Sequence, residues 1–319
     1  MKTPLLASID IGSNSILLLV GRIVRDKLHI ELQRKETIRL GGALDADGNL
    51  SPEAVQRGLA CLRRFAALLE HVCPEHRRAV ATQTLREAHN REDFLSQAAS
   101  ILGCQVELIS GEKEAALIYQ GVNSLLPPSR QARFIVDIGG RSTELCWGIN
   151  SQLHAAASCP IGSIAWAQRF FGDGLLHSER FAAANQAAQL ALSPHLASLQ
   201  SAVANSQILG ASGTAGAISK VLQQAGMPAG EISRDGLFQL KSLLIETGHI
   251  DLLTMQGLRE ELRPVIGGGV SVMCAVFDAL QLQSMRIAQG ALHHGVLFSL
   301  QTAALKNSGQ QSIADRYKS

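Results

Sequence analysis

Closely spaced cysteine pairs are absent from this sequence. The chain has six cysteines, and no two of them form a CxxC pair. They are Cys61, Cys73, Cys104, Cys146, Cys159 and Cys274. Cysteines scattered in this way are typical of small buried side chains in a reducing compartment and not of a zinc site or a disulfide framework. A convincing signal peptide is also absent, because the short apolar run after Lys2 meets Asp10 too soon. We therefore predict a cytoplasmic protein.

The sequence has little net charge. Its 29 Lys and Arg residues nearly balance its 27 Asp and Glu residues, which leaves a net charge of +2. Such a chain as a whole is neither a polyanion-binding tail nor a nucleic-acid arm, so we expect no DNA partner. Hydrophobic residues make up 46% and charged residues 18%, which excludes a disordered chain and fits a globular α/β protein. At 319 residues the chain is too long for one comfortable core, so two domains are expected.

One long segment has no acidic or basic side chain. No Asp, Glu, Lys or Arg lies between Arg180 and Lys220, which raises the alternative of a membrane span. This segment contains Asn185, Gln186, Gln189, Pro194, His195 and Gln200. Placing them in a bilayer would be costly. We predict helices packed in a large core and no membrane partner.

A pattern of three strands followed by helices occurs twice along the chain. The predicted strands are residues 5–9, 16–23, 28–32, 134–138, 144–149 and 153–158. Apolar residues run together or alternate with polar ones at these places, as strands require. The chain is therefore a structural repeat that starts at about residue 5 and again at about residue 133. The segment Pro127-Pro128-Ser129 is the natural linker between the two copies.

The helices of the first half have recognisable starts. Ser51 is suited to cap a helix and Pro52 to occupy its first turn, and an apolar stripe follows as far as Leu69. Short strands are expected at 79–82 and at 105–109, and another helix from Glu112.

Glycine-rich turns follow predicted strands at three places. Residues 10–15 and 137–144 both begin Asp-Ile-Gly, and successive N–H groups with Ser and Asn side chains in such turns can hold phosphate oxygens. Asp10 could bind Mg²⁺ through water. Residues 210–216 open into a helix, whose N-terminus favours anions. Taken singly, each turn could equally be an ordinary turn with polar residues; three together favour a phosphate clamp.

These turns and the segments around them resemble the exopolyphosphatase/guanosine pentaphosphate phosphatase (Ppx/GppA) family, a branch of the sugar kinase–Hsp70–actin superfamily. The matching segments are IDIGSNS at 9–15, IRLGG at 38–42, LSPEAVQRGLACL at 50–62, ATQTLREAHN at 81–90, ISGEKEAALIYQGV at 109–122, VDIGGRSTEL at 136–145, GASGTAGAIS at 210–219 and CAVFDALQLQSMRIAQGALHHGVLF at 274–298. The resemblance implies an α/β fold of two actin-like (ribonuclease H-like) domains that face each other across a cleft. The first domain would cover residues 1–126, completed by a returning segment 300–319, and the second residues 127–299.

The resemblance also implies the roles of individual residues. The catalytic base of the family falls on Glu114, although Glu112 and Glu114 could instead merely complement the helix dipole. Asp10 and Asp137 match the aspartates on the magnesium side, and Glu144 is a second acidic group that positions metal or water. Arg86 matches a phosphate-contacting arginine; the alternative is a solvated helix arginine. The remaining phosphate contacts would be Gly12, Ser13, Asn14, Ser15, Gly139, Gly140, Ser142, Ser212, Gly213 and Thr214.

The sequence departs from the family pattern at several of these motifs. Leu17 stands where many members have Arg or His, Lys113 replaces a Glu, and Ala116 replaces an Arg. Arg141 replaces the third glycine of DIGGGSTEL; it could bind phosphate in place of a lost guanidinium, or it could fill the cleft and block it. His293 and His294 replace the Arg-Glu of ALREG, and adjacent helix residues are poorly placed to share a metal.

The expected function is a Mg²⁺-dependent phosphohydrolase. It would remove the terminal phosphate from inorganic polyphosphate or pppGpp by water attack, with Glu114 as base. The departures keep open a sensor that binds polyphosphate or (p)ppGpp and barely cleaves it. A sugar or acetate kinase on the same fold is a third alternative. A homodimer is expected by resemblance.

Overall fold

A five-stranded mixed sheet organises the first half of the chain in the computed structural model, which describes residues 3–301. Its strands are β1 (Leu6–Ile11), β2 (Ser15–Val24), β3 (Lys27–Thr37), β4 (Arg77–Ala81) and β5 (Val106–Leu108). Their order is β3-β2-β1-β4-β5, with β1, β2 and β3 antiparallel and β4 and β5 parallel to β1. The predicted strands of this half are confirmed.

The second half repeats this design with one more strand. Its strands are β6 (Ala132–Ile138), β7 (Thr143–Ile149), β8 (Gln152–Cys159), β9 (Ser206–Gly210), β10 (Glu231–Ser233) and β11 (Ser284–Ile287). They lie in the order β10-β11-β9-β6-β7-β8. Strands β6, β7 and β8 form an antiparallel meander and β9 runs parallel to β6. The three leading strands of each half therefore have the same topology, as the repeat predicts.

Helices cover the two sheets. In the first half they are α1 (Pro52–Ala67), α2 (Gln83–Glu87), α3 (Arg91–Leu102) and α4 (Gly111–Ser124). In the second half they are α5 (Ser163–Phe171), α6 (Ser178–Val203), α7 (Gly213–Gln224), α8 (Arg234–Thr247) and α9 (Ile266–Ala279). Residues 292–301 form α10, the last described helix. Ser51 caps α1 as predicted, because its hydroxyl accepts a hydrogen bond from Ala54 N–H at 3.3 Å.

Each half has its own core. Ile9, Leu18 and Phe65 belong to the first core, and Phe134, Trp166 and Phe277 to the second. The uncharged segment between residues 180 and 220 forms most of α6 together with β9 and most of α7, whose apolar side chains enter the second core. Among the described residues, the helical stretch Glu260–Ala279 is long and apolar enough to cross a bilayer, but 67% of it is buried inside the protein. It is a core helix.

Two helices cross from one half of the protein to the other. Helix α4 packs on β7 and β8 of the second sheet, and α10 packs on β1 and β2 of the first sheet. The two helices touch where Gly121 faces Gly295, and a Cβ added at Gly295 would overlap the carbonyl oxygen of Leu117. Packing therefore crosses the predicted domain boundary between residues 126 and 127 twice: α4 of the first half contacts the second sheet, and α10 of the second half contacts the first sheet. Apart from residues 300 and 301, the predicted returning segment lies outside the described residues.

Candidate functional site

A polar cleft lies where the turns that follow β1 and β6 meet. It encloses about 230 Å³ and is lined by residues of all three glycine-rich turns and by the start of α10.

The first turn is held by backbone hydrogen bonds. Gly12 N–H donates to Ser15 O at 3.1 Å, and Ser13 O accepts from Gly41 N–H at 2.7 Å. The Ser15 hydroxyl is buried and has no hydrogen-bond partner among the described residues. Because leaving a buried hydroxyl unpaired is costly, this turn is suited to a polar ligand.

The second turn repeats the geometry of the first. Gly139 N–H donates to Ser142 O at 2.9 Å, which matches the bond from Gly12 to Ser15. The tips of the two turns are in contact, since a Cβ added at Gly140 would lie only 2.8 Å from Ser13 Cβ. In the third turn, the Ser212 hydroxyl caps α7 by accepting from Ala215 N–H at 3.0 Å. The structure thus brings all three predicted phosphate turns into one cleft.

Besides Glu261, four carboxyl groups line this cleft: Asp10, Glu114, Asp137 and Glu144. Burial raises the pKa of Asp10 to about 8 and that of Asp137 to about 7, and the negative charge of Glu114 adds to both shifts. The pKa of Glu144 is raised well above its usual value by burial and by the charges of Glu114 and Asp137. Buried acids so close together cannot all ionise unless a cation neutralises their charge; without one, some of them stay protonated.

Glu114 is placed by the first turn of α4. The Ser110 hydroxyl caps this helix, accepting from Lys113 N–H at 3.3 Å. Glu114 is 7% exposed and lines the cleft, whereas Glu112 is exposed to solvent. Helix-end hydrogen bonds, from the backbone and Ser110, lower the pKa of Glu112. The helix-dipole role therefore belongs to Glu112, and Glu114 projects into the cleft.

Arg86 lies directly against Glu114. Its Nη1 donates to Glu114 Oε2 at 2.9 Å and to Ile109 O at 2.8 Å. Gln83 Oε1 accepts from Arg86 Nε at 2.9 Å. Burial raises the pKa of Glu114, and Arg86 acts in the opposite direction. Arg86 therefore orients a carboxylate, and its predicted contact with phosphate remains a prediction.

Arg141 reaches from the second turn to the first half of the protein. Its Nε donates to Glu87 Oε2 at 2.7 Å, and its Nη1 donates to Gly41 O at 2.7 Å. Gln83 Nε2 donates to Glu87 Oε1 at 2.7 Å, so hydrogen bonds run from Arg141 through Glu87 and Gln83 to Arg86. The cleft lining does not include Arg141. The guanidinium joins the two halves of the protein in this structure, and the two predicted roles of Arg141, phosphate binding or blocking, remain predictions.

Sequence reasoning missed Lys35, Arg259 and Glu261, and it did not place His293 in the cleft, although all four line it. For Lys35 a signal existed in the strand register. Asp10 on β1 pairs with Leu17 on β2, and Leu17 pairs with Lys35 on β3. Residues paired across neighbouring strands lie on one face of a sheet. We call Asp10, Leu17 and Lys35 the first row.

The second sheet carries an equivalent row. Asp137 on β6 pairs with Glu144 on β7, and Glu144 pairs with Ser158 on β8. The Ser158 hydroxyl donates to Glu144 Oε1 at 2.8 Å. We call these three residues the second row. The two rows start from corresponding aspartates and face the same cleft.

The two adjacent histidines have different positions. His294 Nδ1 accepts from Ala291 N–H at 3.2 Å and so closes the first turn of α10, as the Glu of a capping box does. His293 lines the cleft, and its Nε2 is buried without a hydrogen-bond partner among the described residues. The centroids of the two rings lie 4.1 Å apart and the rings are tilted by 41°, so the side chains are closer than helix spacing alone suggested.

The residues present fit a magnesium ion that is shared with a ligand. Asp10 Oδ1 is buried without a hydrogen-bond partner among the described residues. Within that same part of the chain, no three His, Cys, Asp or Glu side chains converge into a complete metal cage. Mg²⁺ usually takes one or two carboxylates and completes its shell with water and phosphate oxygens. The acidic donors suit an ion held in this way.

Known proteins match this chain in sequence and in structure. The Ppx/GppA phosphatase family model matches residues 19–304. An exopolyphosphatase-like protein of known structure is 23% identical and superimposes with a TM-score of 0.83, over 94% of this chain and 98% of that chain.

Two further solved structures have named organisms. An exopolyphosphatase from Cytophaga hutchinsonii is 23% identical and has a TM-score of 0.81, covering 93% of this chain and 97% of its own. A PPX-GPPA enzyme from Aquifex aeolicus is 24% identical, with a TM-score of 0.75 over 93% of this chain and 99% of its own. At this identity the likeness establishes the fold, which is the expected pair of actin-like domains.

Proposed function

The chain belongs to the Ppx/GppA phosphatase family, and we propose that it hydrolyses the terminal phosphoanhydride bond of inorganic polyphosphate or pppGpp. The observation that carries this proposal is the position of Glu114. Its carboxyl group is buried in the cleft between the phosphate turns, and Arg86 holds one of its oxygens. A carboxylate fixed in this way is suited to orient and deprotonate an attacking water.

The proposed reaction is a direct transfer of the terminal phosphoryl group to water. The water oxygen forms a bond to the terminal phosphorus while the bond to the bridging oxygen breaks, and the bridging oxygen leaves with the electron pair. The water proton passes to Glu114. The N–H groups and hydroxyls of the turns at 12–15, 139–142 and 212–214 hold the phosphate oxygens in place.

Asp10 and Asp137 would hold Mg²⁺, which supplies charge neutralisation to the phosphate oxygens when it is bound. Glu144 lies beside Asp137 in the second row and is fixed by the Ser158 hydroxyl. It would orient the water or the ion from the side opposite the first row. Without a cation, the raised pKa values keep Asp10 mostly protonated and Asp137 about half protonated near pH 7.

The direct test compares phosphate release by the wild type with release by Glu114→Gln, with Mg²⁺ and either polyphosphate or pppGpp. We expect Glu114→Gln to lose about a hundredfold or more in rate, as removal of a general base does. Glu112→Gln is the matched control, because it makes the same change in the same helical turn on an exposed side chain. Equal activity of Glu114→Gln and wild type would contradict the proposal.

A second candidate is a sensor that binds the same ligands with little hydrolysis. Leu17 favours it, because this position lies in an apolar cluster with Leu19 and Leu297 and offers no charge to a phosphate. Saturable binding of polyphosphate or pppGpp without phosphate release by the wild type would establish the sensor. The ligand that binds more tightly would then indicate which of the two the protein senses. The proposed homodimer can be checked in the same samples by light scattering.

A further inference from the structure

We propose that the cleft contains a second phosphate subsite, formed by Lys35, His293, Arg259 and the N-terminus of α7, for the phosphate group next to the reacting one. This inference rests on the proposed function, since it assigns a site to the second phosphate of a condensed phosphate chain. Four observations carry it: an unpaired ammonium group, a helix end that faces it, an unpartnered imidazole and the order of charges along the cleft.

Lys35 is a solvent-exposed cation that lines the cleft. It makes no hydrogen bond or ion pair with any other residue in the described range 3–301. The strand register places it two strands from Asp10, about 10 Å away between Cα atoms. Partial desolvation and the charge of Arg259 lower the pKa of Lys35, while the charges of Asp10 and Glu261 raise it. Both carboxyl groups thus lie within electrostatic reach of the ammonium group, but neither forms an ion pair with it.

The N-terminus of α7 faces this ammonium group across the cleft. A Cβ added at Gly213 would lie 3.7 Å from Lys35 Nζ. Gly213 begins α7, a helix of 12 residues whose N-terminus carries a partial positive charge. Two positive groups from opposite halves of the protein therefore lie close together. A phosphate group is the kind of ligand that would satisfy both.

His293 supplies the independent sign of a ligand. It is 7% exposed, and its buried Nε2 has no hydrogen-bond partner among residues 3–301. Ser8 fixes its backbone, because the Ser8 hydroxyl donates to His293 O at 2.8 Å. Burial, His294 and Lys35 lower the pKa of His293 to about 3, so the ring is neutral at pH 7. A neutral imidazole can donate one hydrogen bond to a phosphate oxygen.

Arg259 completes the subsite at its outer side. Its Nη1 lies 3.1 Å from Glu261 Oε1, and its side chain is 57% exposed, so Glu261 offsets part of its charge. Both residues line the cleft. We therefore assign the larger share of the binding energy to Lys35 and treat Arg259 as a screened contact at the entrance.

The order of charges shows which phosphate the subsite takes. In the first row, the acid Asp10 lies on β1 and the cation Lys35 lies two strands away on β3, with Leu17 of β2 between them. The reacting phosphate has to lie next to Glu114. A phosphate bonded to it can then extend past Asp10 to Lys35. Leu17, in the middle of the first row, contributes no charge. The positive charge of Lys35 lies on the next strand, β3.

The test measures binding instead of hydrolysis. Orthophosphate and imidodiphosphate, a pyrophosphate analogue with a P–N–P link, are titrated calorimetrically into wild type, Lys35→Met and Lys27→Met in Mg²⁺ buffer. Lys27→Met is the matched control, because Lys27 is exposed at the other end of β3. We expect wild type to bind imidodiphosphate at least about tenfold more tightly than orthophosphate, since a phosphate anion gains charge-assisted hydrogen bonds from a second subsite.

Lys35→Met should lose about tenfold or more in affinity for imidodiphosphate and keep its affinity for orthophosphate within about twofold. Retained orthophosphate binding shows that the variant is folded, and Lys35→Arg should keep the preference for imidodiphosphate. His293→Gln should weaken imidodiphosphate binding by a smaller factor. Unchanged imidodiphosphate affinity in Lys35→Met, or no preference in the wild type, overturns the subsite. Because the readout is affinity, the subsite and the proposed hydrolysis stand or fall separately.

Discussion

The two rows that face the cleft have the same backbone and different chemistry. Each begins at an aspartate that precedes an Ile-Gly turn, and each crosses three antiparallel strands in the same register. The first row ends in the cation Lys35 and has Leu17 in its middle, whereas the second has Glu144 in its middle and a hydroxyl at its end. The repeated fold thus supplies two equivalent places, and each place carries a different part of the proposed function.

The helix that covers each row explains the difference. Helix α10 lies on the first row's side of its sheet, where Leu17 packs with Leu6, Leu19 and Leu297 in an apolar cluster. Helix α4 lies over β7 and β8 and brings Glu114 to the second row, with Gly111 in contact with Ser158. An apolar middle residue therefore serves packing in one half, and an acidic one serves the cleft in the other.

The largest effect is expected from removing the acid of the second row. Glu144→Gln keeps the shape of the side chain and removes its charge, so phosphate release should fall by about a hundredfold or more. Leu17→Met, the volume-conserving change at the equivalent place, should alter the rate by less than about threefold. Comparing kcat for the two variants tests whether the middle positions differ as the rows suggest. A large loss in Leu17→Met would show that the first row also carries chemistry at its centre.

A smaller effect is expected from the contacts of Arg141, which join the second turn to the first half of the protein. Arg141→Ala removes the ion pair with Glu87 and the bond to Gly41 O, and phosphate release should fall about tenfold because Glu87 is linked to Arg86 through Gln83. A double-mutant cycle with Glu87→Gln should give a coupling of about 1 kcal/mol or more in urea unfolding.

The exposed Arg34→Ala is the control for loss of an arginine away from the cleft. Additive effects of Arg141→Ala and Glu87→Gln would contradict an energetic link between Arg141 and Glu87. A KM that rises with no change in kcat would instead point to a direct contact between Arg141 and substrate.

The smallest effect is the pH dependence that distinguishes the two aspartates. Their folded-state pKa values, about 8 for Asp10 and about 7 for Asp137, lie above the usual value of 3.8, so the folded protein binds these protons more tightly. That stabilisation is complete below the unfolded pKa and is lost as pH rises through the folded pKa. His293 and His294, with lowered pKa values, act in the opposite direction only up to about pH 6.5.

Between about pH 7 and 8 the free energy of unfolding should therefore fall by about 1 kcal/mol or more per pH unit without added cation, through Asp10 together with Asp137 and Glu144, whose pKa values are also raised. Asp10→Asn should flatten this dependence more than Asp137→Asn, and Mg²⁺ should reduce it in the wild type. Urea unfolding at pH 7 and pH 8 measures the slopes. Equal slopes in wild type and Asp10→Asn would show that Asp10 is already ionised in the folded protein.

Local sequence determined the parts of this protein that depend on near neighbours. The Asp-Ile-Gly turns, the Ser51 cap, the strands of the repeat and the membership of Glu114 in a recognisable motif all rest on residues within one turn or strand of each other. For the same reason the family and the fold could be predicted before any coordinates.

Tertiary structure decided which side chains meet in the cleft. Lys35, Arg259 and His293 converge from three distant segments. The side chain of Arg141 contacts Glu87, which lies 54 residues earlier in the chain, and does not line the cleft. The choice between Glu112 and Glu114 also depended on which of them α4 buries when it packs on the second sheet. Contacts of this kind depend on the packing of whole helices and sheets, and no local preference of the chain encodes them.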